Sequence, residues 1–443
     1  MKKFTFAIAL AFAFNLGFAQ KDYSPESVKA KAEKSNYDIA DTKAGASYKT
    51  WLKRAEVFGE ISEAPLAGAY PGMSDKEADL LIGKPTTTSN VEVNGKALTK
   101  MEYPYVDLFF EGGKLLYWNI KNSGVEKPLV TGFEAIEKAI SLDPKASKKA
   151  KDLYTTYKSY FFKKANNAYN ASNKAEAAEN YGYAYQCSAN QSVNAPDTAS
   201  SYYAAYAFIE ASNFNQAIKY AQICLDNKCN QNGDVYRIIG EAYMGEAKDT
   251  VKNPAKSKEA YAKSKEAYLK GSELYPSNTA NIFGIINLYI SQNEDPKNVL
   301  PYIDKAIGLD PKNPSLFFVK ASFYEKINEP ENAIASYNKA IELNPKYFEG
   351  WCNLGVVYYN IGVKYYDQSN KVDVNNQKEY DRLIKLGDEN HKIALQKFLQ
   401  AYSINPKDKF VVENIKNIYF RFRNESEDMK KKCEEFTNIL QSL

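Results

Sequence analysis

WCNLGVVY, residues 351–358, carries the pattern from which the fold follows. Trp351, Leu354, Gly355 and Tyr358 are spaced three, one and three residues apart, which sets them on one face of a helix. The same frame returns at 236–243 as YRIIGEAY, through Tyr236, Ile239, Gly240 and Tyr243. A glycine among large apolar side chains lets a second helix come close while the large groups fill the space around it. That second helix is legible nearby. Ala333, Tyr337 and Ala340 alternate small and large at helical spacing, and Pro345 stops the helix because proline cannot continue its hydrogen-bond ladder. Ala394, Phe398, Ala401 and Pro406 repeat the arrangement. The closing phrase recurs as KAIGLDP (305–311), KAIELNP (339–345) and QAYSINP (400–406), and an earlier copy ends GFEAIEKAISLDP (132–144). Pro311 and Pro345 stand 34 residues apart.

This W-x2-L-G-x2-Y frame and 34-residue period resemble the tetratricopeptide (TPR) repeat. The resemblance implies a mainly α fold of about eight antiparallel helical hairpins, stacked into a superhelix whose concave surface binds protein. In the repeat frame, hairpins fall at 147–188, 198–231, 233–276, 279–311, 314–347 and 348–406, with a closing pair at 408–442. KKKCEEFTNILQSL reads as the capping helix. Two hairpins are long: about 12 extra residues lie between Gly240 and Ser264, and about 27 between Gly355 and Ala394. Two arms longer by six residues each account for the first, and an exposed tip at 369–377 for the second. TPR proteins commonly turn the fifth and ninth positions of each first helix to the groove. Carried over, these are Tyr202 and Tyr206, Arg237 and Glu241, Phe283 and Asn287, Phe318 and Ser322, and Cys352 and Val356. No unit has the Lys and Asn pair with which the chaperone-binding subfamily clamps a terminal carboxylate.

The hairpin ending at Pro144 needs a first half. SYKTWLKRAEVF (47–58) supplies it, with Trp51, Ala55 and Phe58 at the Trp, Gly and Tyr positions and Arg54 in place of the leucine. About 65 residues then interrupt the hairpin. In PGMSDKEADLLIGKP (71–85), Ser74 and Glu77 form a capping box and Gly83 and Pro85 stop the helix. Turns at Asn94-Gly95 and Glu111-Gly112-Gly113 follow, and the reading expects three antiparallel strands. Through Gly72, Met73, Glu77, Leu81, Gly83 and Pro85 the segment resembles the SmpA/OmlA family of small envelope proteins and related modules of beta-lactamase-inhibitor proteins. The expected organisation is a signal peptide at 1–19, N-terminal helices at 20–59, an inserted α+β domain at 60–130 and the repeat array at 131–443.

MKKFTFAIALAFAFNLGFAQ opens the chain with a basic start, an apolar stretch, and Gly17 and Ala19 at −3 and −1 of a cleavage site. No cysteine follows for lipid attachment, so the expected location is periplasmic or extracellular. Heavy use of Lys, Asn and Tyr beside one His resembles Bacteroidetes-type bacteria. A formal charge of +4 gives no reason to expect nucleic acid. Cys224 and Cys229, two of five cysteines, are close enough in sequence to bridge at a helix end, but the leading reading is of ordinary buried residues. His391 is read as a solvated helix residue. With one His and no phosphate loop, dinucleotide fingerprint or nucleophile elbow, neither an enzyme, a metal site nor a cofactor is expected. Most of the 35 Tyr and 23 Phe read as packing residues. The functional expectation is a protein-binding scaffold of the cell envelope, with outer-membrane or envelope-assembly proteins as partners. Glycan capture in the manner of SusD-like proteins is the alternative.

Overall fold

The computed structural model describes residues 23–443 apart from 67, 250 and 294. The signal-peptide reading lies outside the described residues. The chain divides into two compact units, 1–264 and 265–443, with the division inside one helix.

In the first unit, α1 (Pro25–Ala40) packs on α2 (Tyr48–Glu63). Ser24 caps α1 through a capping box with Ser27. Arg54 breaks the repeat frame for a reason visible here. Its guanidinium lies 4.4 Å over the Phe58 ring and donates to Ser35 Oγ (3.0 Å) and Asn36 Oδ1 (2.8 Å) of α1. The chain then forms the short α3 (Asp75–Leu81), capped by Ser74 and Glu77.

A four-stranded antiparallel meander follows: β1 (Thr87–Val93), β2 (Lys96–Glu102), β3 (Val106–Glu111) and β4 (Lys114–Ile120). The expected count of three strands is corrected to four. Each of the two turns divides its stretch into a paired hairpin, with Asn94 and Gly95 at φ +52° and +73° in one, and Gly112 and Gly113 at φ +57° and +76° in the other. Met73, Ala78, Tyr103, Val106, Leu108, Phe110 and Leu115 form the core beneath α3.

The chain returns as α4 (Pro128–Leu142), which packs on α2 across the intervening sheet segment. Next come α5 (Ser147–Asn170), α6 (Lys174–Ala189), α7 (Thr198–Glu210), α8 (Phe214–Asp226), α9 (Asp234–Asp249) and α10 (Pro254–Leu274). Tyr157 of α5 joins three helices. It is 1% exposed, its hydroxyl donates to Ala55 O of α2 at 2.6 Å, and a Cβ at Gly132 of α4 would stand 1.7 Å from that hydroxyl. At Gly132 the missing side chain is thus replaced by a neighbouring aromatic ring. The long hairpin is uneven: α9 has 16 residues and α10 has 21, against 13 each in α7 and α8, so the added length falls mainly on the second arm.

The second unit contains α11 (Thr279–Gln292), α12 (Leu300–Leu309), α13 (Pro314–Lys326), α14 (Pro330–Leu343), α15 (Phe348–Ser369), α16 (Gln377–Ile404), α17 (Lys409–Phe422) and α18 (Glu427–Ser442). These pack as successive hairpins. The 22-residue α15 and 28-residue α16 form the longest, with residues 370–376 at its tip. Gly355 receives Phe398, whose ring would be 2.9 Å from an added Cβ. Trp351 donates its indole N–H to Pro345 O at 2.9 Å, and Trp51 of the first unit does the same to Gly45 O at 2.8 Å, six residues back in both cases.

His391 is not solvated. It is 4% exposed, stacked on Tyr359 at 4.4 Å and met edge-on by Tyr366 at 5.0 Å. The polar letters beside it, ENHK, occupy the other faces of α16, and only the packing of α15 against α16 reveals that this position faces inward.

Candidate functional site

Three first helices of successive hairpins, α5, α7 and α9, carry a connected set of aromatic and charged side chains. Asp234 opens α9, where a carboxylate is favoured by the unpaired N–H groups of the first turn. Arg237, one turn on, grips it with Nε to Oδ1 at 2.6 Å and Nη2 to Oδ2 at 3.0 Å, and uses Nη1 to reach Glu241 Oε2 at 2.5 Å. Across the helix gap, Tyr202 of α7 donates its hydroxyl to Asp234 Oδ2 at 2.7 Å. Tyr206 lies one turn further along α7, with its ring 6.4 Å from Tyr202, 5.8 Å from the Arg237 guanidinium and 6.5 Å from Tyr169 of α5. Lys174, at the start of α6, sits 3.2 Å over Tyr169 and 3.4 Å from Glu210.

Ion pairs and hydrogen bonds tie the side chains of this face together. Burial works against the Arg237 charge, but its bonds to Asp234 and the charges of Glu241 and Asp234 outweigh it and raise the guanidinium pKa. Burial, with the Asp234 charge and hydrogen bond added, raises Tyr202 and keeps it a protonated donor. Tyr169 is raised by burial and by its hydrogen bond to Glu210. All these rings are half-buried, so they offer flat apolar surface at little further loss of rotamer freedom.

Of the residues expected in the groove, Tyr202, Tyr206, Arg237 and Glu241 come together here. The others lie in the second unit. Phe283 and Asn287 are exposed on α11. Phe318 packs on Tyr337 and Tyr347, and Ser322 donates to Phe318 O at 3.1 Å. Cys352 is buried and Val356 is half-buried. Sequence reasoning missed Tyr169, Lys174, Glu210 and Asp234. Only Asp234 left a signal, as an acid three residues before an arginine on one helix.

The long arm of α9 and α10 adds a second feature in this unit, an open cleft of about 620 Å³ beside the α7–α8 turn, lined in part by Phe214, Tyr243, Asp249 and Lys256. Among the described residues, no cluster of three or more His, Cys, Asp or Glu could hold a metal ion, and no helix is long and apolar enough to cross a membrane.

Residues 322–362 match the family model described as TPR repeat. The hairpin elements within that stretch are therefore of the TPR type. A protein O-mannosyl-transferase (TMTC1) of Homo sapiens is 32% identical over 81 residues, 17% of this chain and 9% of that protein. A TPR repeat-containing protein (MJ1428) of Methanocaldococcus jannaschii is 39% identical over 70 residues, 16% of this chain and 12% of its own. The chain therefore spans about a tenth of the length of these relatives. Among solved structures, the C-terminal part of a TPR repeat-containing protein from Cytophaga hutchinsonii is similar with a TM-score of 0.42 and 15% identity, over 64% of this chain and 95% of that one. A TPR protein of Thermus thermophilus gives a TM-score of 0.33 and 14% identity, over 45% and 98%. The fold class is mainly α and TPR-like, with a small antiparallel sheet.

Proposed function

We propose that this chain is a non-enzymatic scaffold of the bacterial cell envelope, and that it binds an extended segment of a partner protein along the α5, α7 and α9 face. The network through Tyr169, Tyr202, Tyr206, Arg237 and Glu241 carries the reading, because it spans three consecutive repeat units and is locked by its own ion pairs. A preordered aromatic surface with a charged rim loses little entropy when a chain segment lies across it. The sheet segment between α2 and α4 is the second contact surface, with Leu80 (84% exposed), Leu81 and Tyr70 outward on and beside α3. The leader-like N-terminus and the resemblance of 71–85 to SmpA/OmlA proteins favour a periplasmic or extracellular location and partners among outer-membrane or envelope-assembly proteins.

The test is crosslinking and affinity purification of the tagged chain from cell envelopes, beside Tyr206→Ala and a version lacking 62–129. A half-buried tyrosine at the centre of a protein interface is worth about tenfold or more in affinity. The expected result is a defined protein partner lost or weakened to that degree in Tyr206→Ala, with its helical circular dichroism unchanged. Glycan binding abolished by the same substitution would replace the scaffold reading with carbohydrate capture.

A further inference from the structure

The corner that ends α8 is a Schellman motif. Lys228 takes the left-handed conformation at φ +59°, its N–H donates to Leu225 O at 2.9 Å, and the Cys229 N–H donates to Cys224 O at 2.8 Å. Such a motif brings together the side chains at the two ends of that longer bond, usually as an apolar contact. The same corner ends α5, α7 and α13 at Ser172, Ser212 and Asn328, where the paired positions hold Ala168 with Asn173, Phe208 with Asn213, and Tyr324 with Glu329. At α8 both positions are cysteine.

The two sulfurs have different access. Cys224 is buried, with its Sγ 3.2 Å from Ser201 Oγ of α7. Cys229 is half-exposed, 3.9 Å from Thr198 O and accepting from Gln231 Nε2 at 3.4 Å. Burial pushes the Cys224 thiol up to about 12, and a hydrogen bond with the Cys229 thiol adds to the shift. Both cysteines are free thiols in the structure, as are the buried Cys187, Cys352 and Cys433.

We propose that Cys224 and Cys229 are a redox site, a dithiol that a disulfide oxidant converts to an intramolecular disulfide across the α8 corner. Cys229, the sulfur a reagent can reach, attacks the oxidant's S–S bond as thiolate, forming a mixed disulfide and releasing one thiolate. Cys224 then attacks the Cys229 sulfur, and its proton leaves with the second thiol. The chain loses two hydrogens and the oxidant becomes two thiols. Because the left-handed corner already holds the two positions in contact, closure needs little backbone movement. This inference does not depend on the scaffold reading.

The experiment equilibrates the reduced full chain in buffers of reduced and oxidised glutathione. Accessible and denaturant-revealed thiols together should fall from five to three, with a mass loss of about 2 Da. Trypsin cuts after Lys228, so peptides 220–228 and 229–237 should be found joined. In Cys224→Ser, oxidation should stop at a lasting glutathione adduct on Cys229. In Cys229→Ser, Cys224 should remain a free thiol, which keeps the test open if the Cys224→Ser variant does not fold. Retention of five thiols in the oxidised buffer, loss of thiols through another pair, or a stable glutathione adduct on wild-type Cys229 would each overturn the proposal.

Discussion

His391 shows how a single side chain couples packing to pH. Its Nε2–H donates to Tyr359 O at 3.2 Å, which leaves Nδ1, buried and without a partner, as the atom a proton would occupy. Gly362 leaves room for the ring, since a Cβ there would lie 2.3 Å from the imidazole. Around it stand Tyr359 and Tyr366, the Asp388 carboxylate that accepts from Tyr366 at 2.8 Å, and Arg421 stacked 3.7 Å over Tyr366 and bonded to Asp388. Burial is the main cause that holds the imidazole pKa at about 4 against an ordinary 6.5, with Arg421 pushing the same way and the Tyr359 hydrogen bond and Asp388 opposing. The unfolded chain therefore binds a proton that the folded chain refuses between those two values. The stability tied to a neutral His391 is complete above about 6.5 and is lost as the pH falls towards 4. Wild type compared with His391→Phe by denaturant unfolding should lose on the order of 2 kcal/mol relative to the variant from pH 7 to pH 4.5, after allowance for solvent screening. An unchanged difference across that range would show that the imidazole titrates normally.

At the scale of elements, helix side chains cover much of the edge of β4 where a fifth strand would pair. Asn167 of α5 accepts from Trp118 N–H at 2.8 Å and donates to Trp118 O at 3.1 Å, and Asn170 donates to Leu116 O at 2.9 Å. These bonds cover the Leu116–Trp118 part of the outer edge of β4, while Gly72 and Met73 bond to Leu115 at its start, so the edge is not left open to other chains. Asn167→Leu should cost about 1–3 kcal/mol, because the Trp118 amide and carbonyl lose their partners, and should speed hydrogen exchange at the Trp118 amide. The two turns at Asn94-Gly95 and Gly112-Gly113 were legible, although the reading counted three strands where there are four, and the hairpins were legible from their Gly, Ala and Pro spacing. The corners were not. Ser172 and Ser212 adopt φ +63° and +56°, where sequence reasoning looks for glycine, because the following residues, Asn173 and Asn213, cap the next helix and hold the turn in place. The edge role of Asn167 was equally hidden, since its partner lies 49 residues away.

For the whole molecule, two compact units and several separate apolar clusters argue against one cooperative transition. Calorimetry should give a van't Hoff enthalpy well below the calorimetric one, as for other stacked-repeat chains. Equal values would mean that the chain unfolds as a single unit. The sequence by itself determined the repeat: helical hairpins follow from local periodicity, from glycine and alanine where helices touch, and from proline where they stop. The resemblance to the TPR frame also pointed to Tyr202, Tyr206, Arg237 and Glu241, together with Phe283, Asn287, Phe318 and Ser322, which lie in the second unit. Tertiary structure alone decided that Tyr169, Lys174, Glu210 and Asp234 join the first four, that Asn167 covers part of a sheet edge, and that His391 faces inward. Each of these depends on contacts between different elements, and the local pattern around such a residue records its own helix or strand without recording what the neighbouring element brings to it.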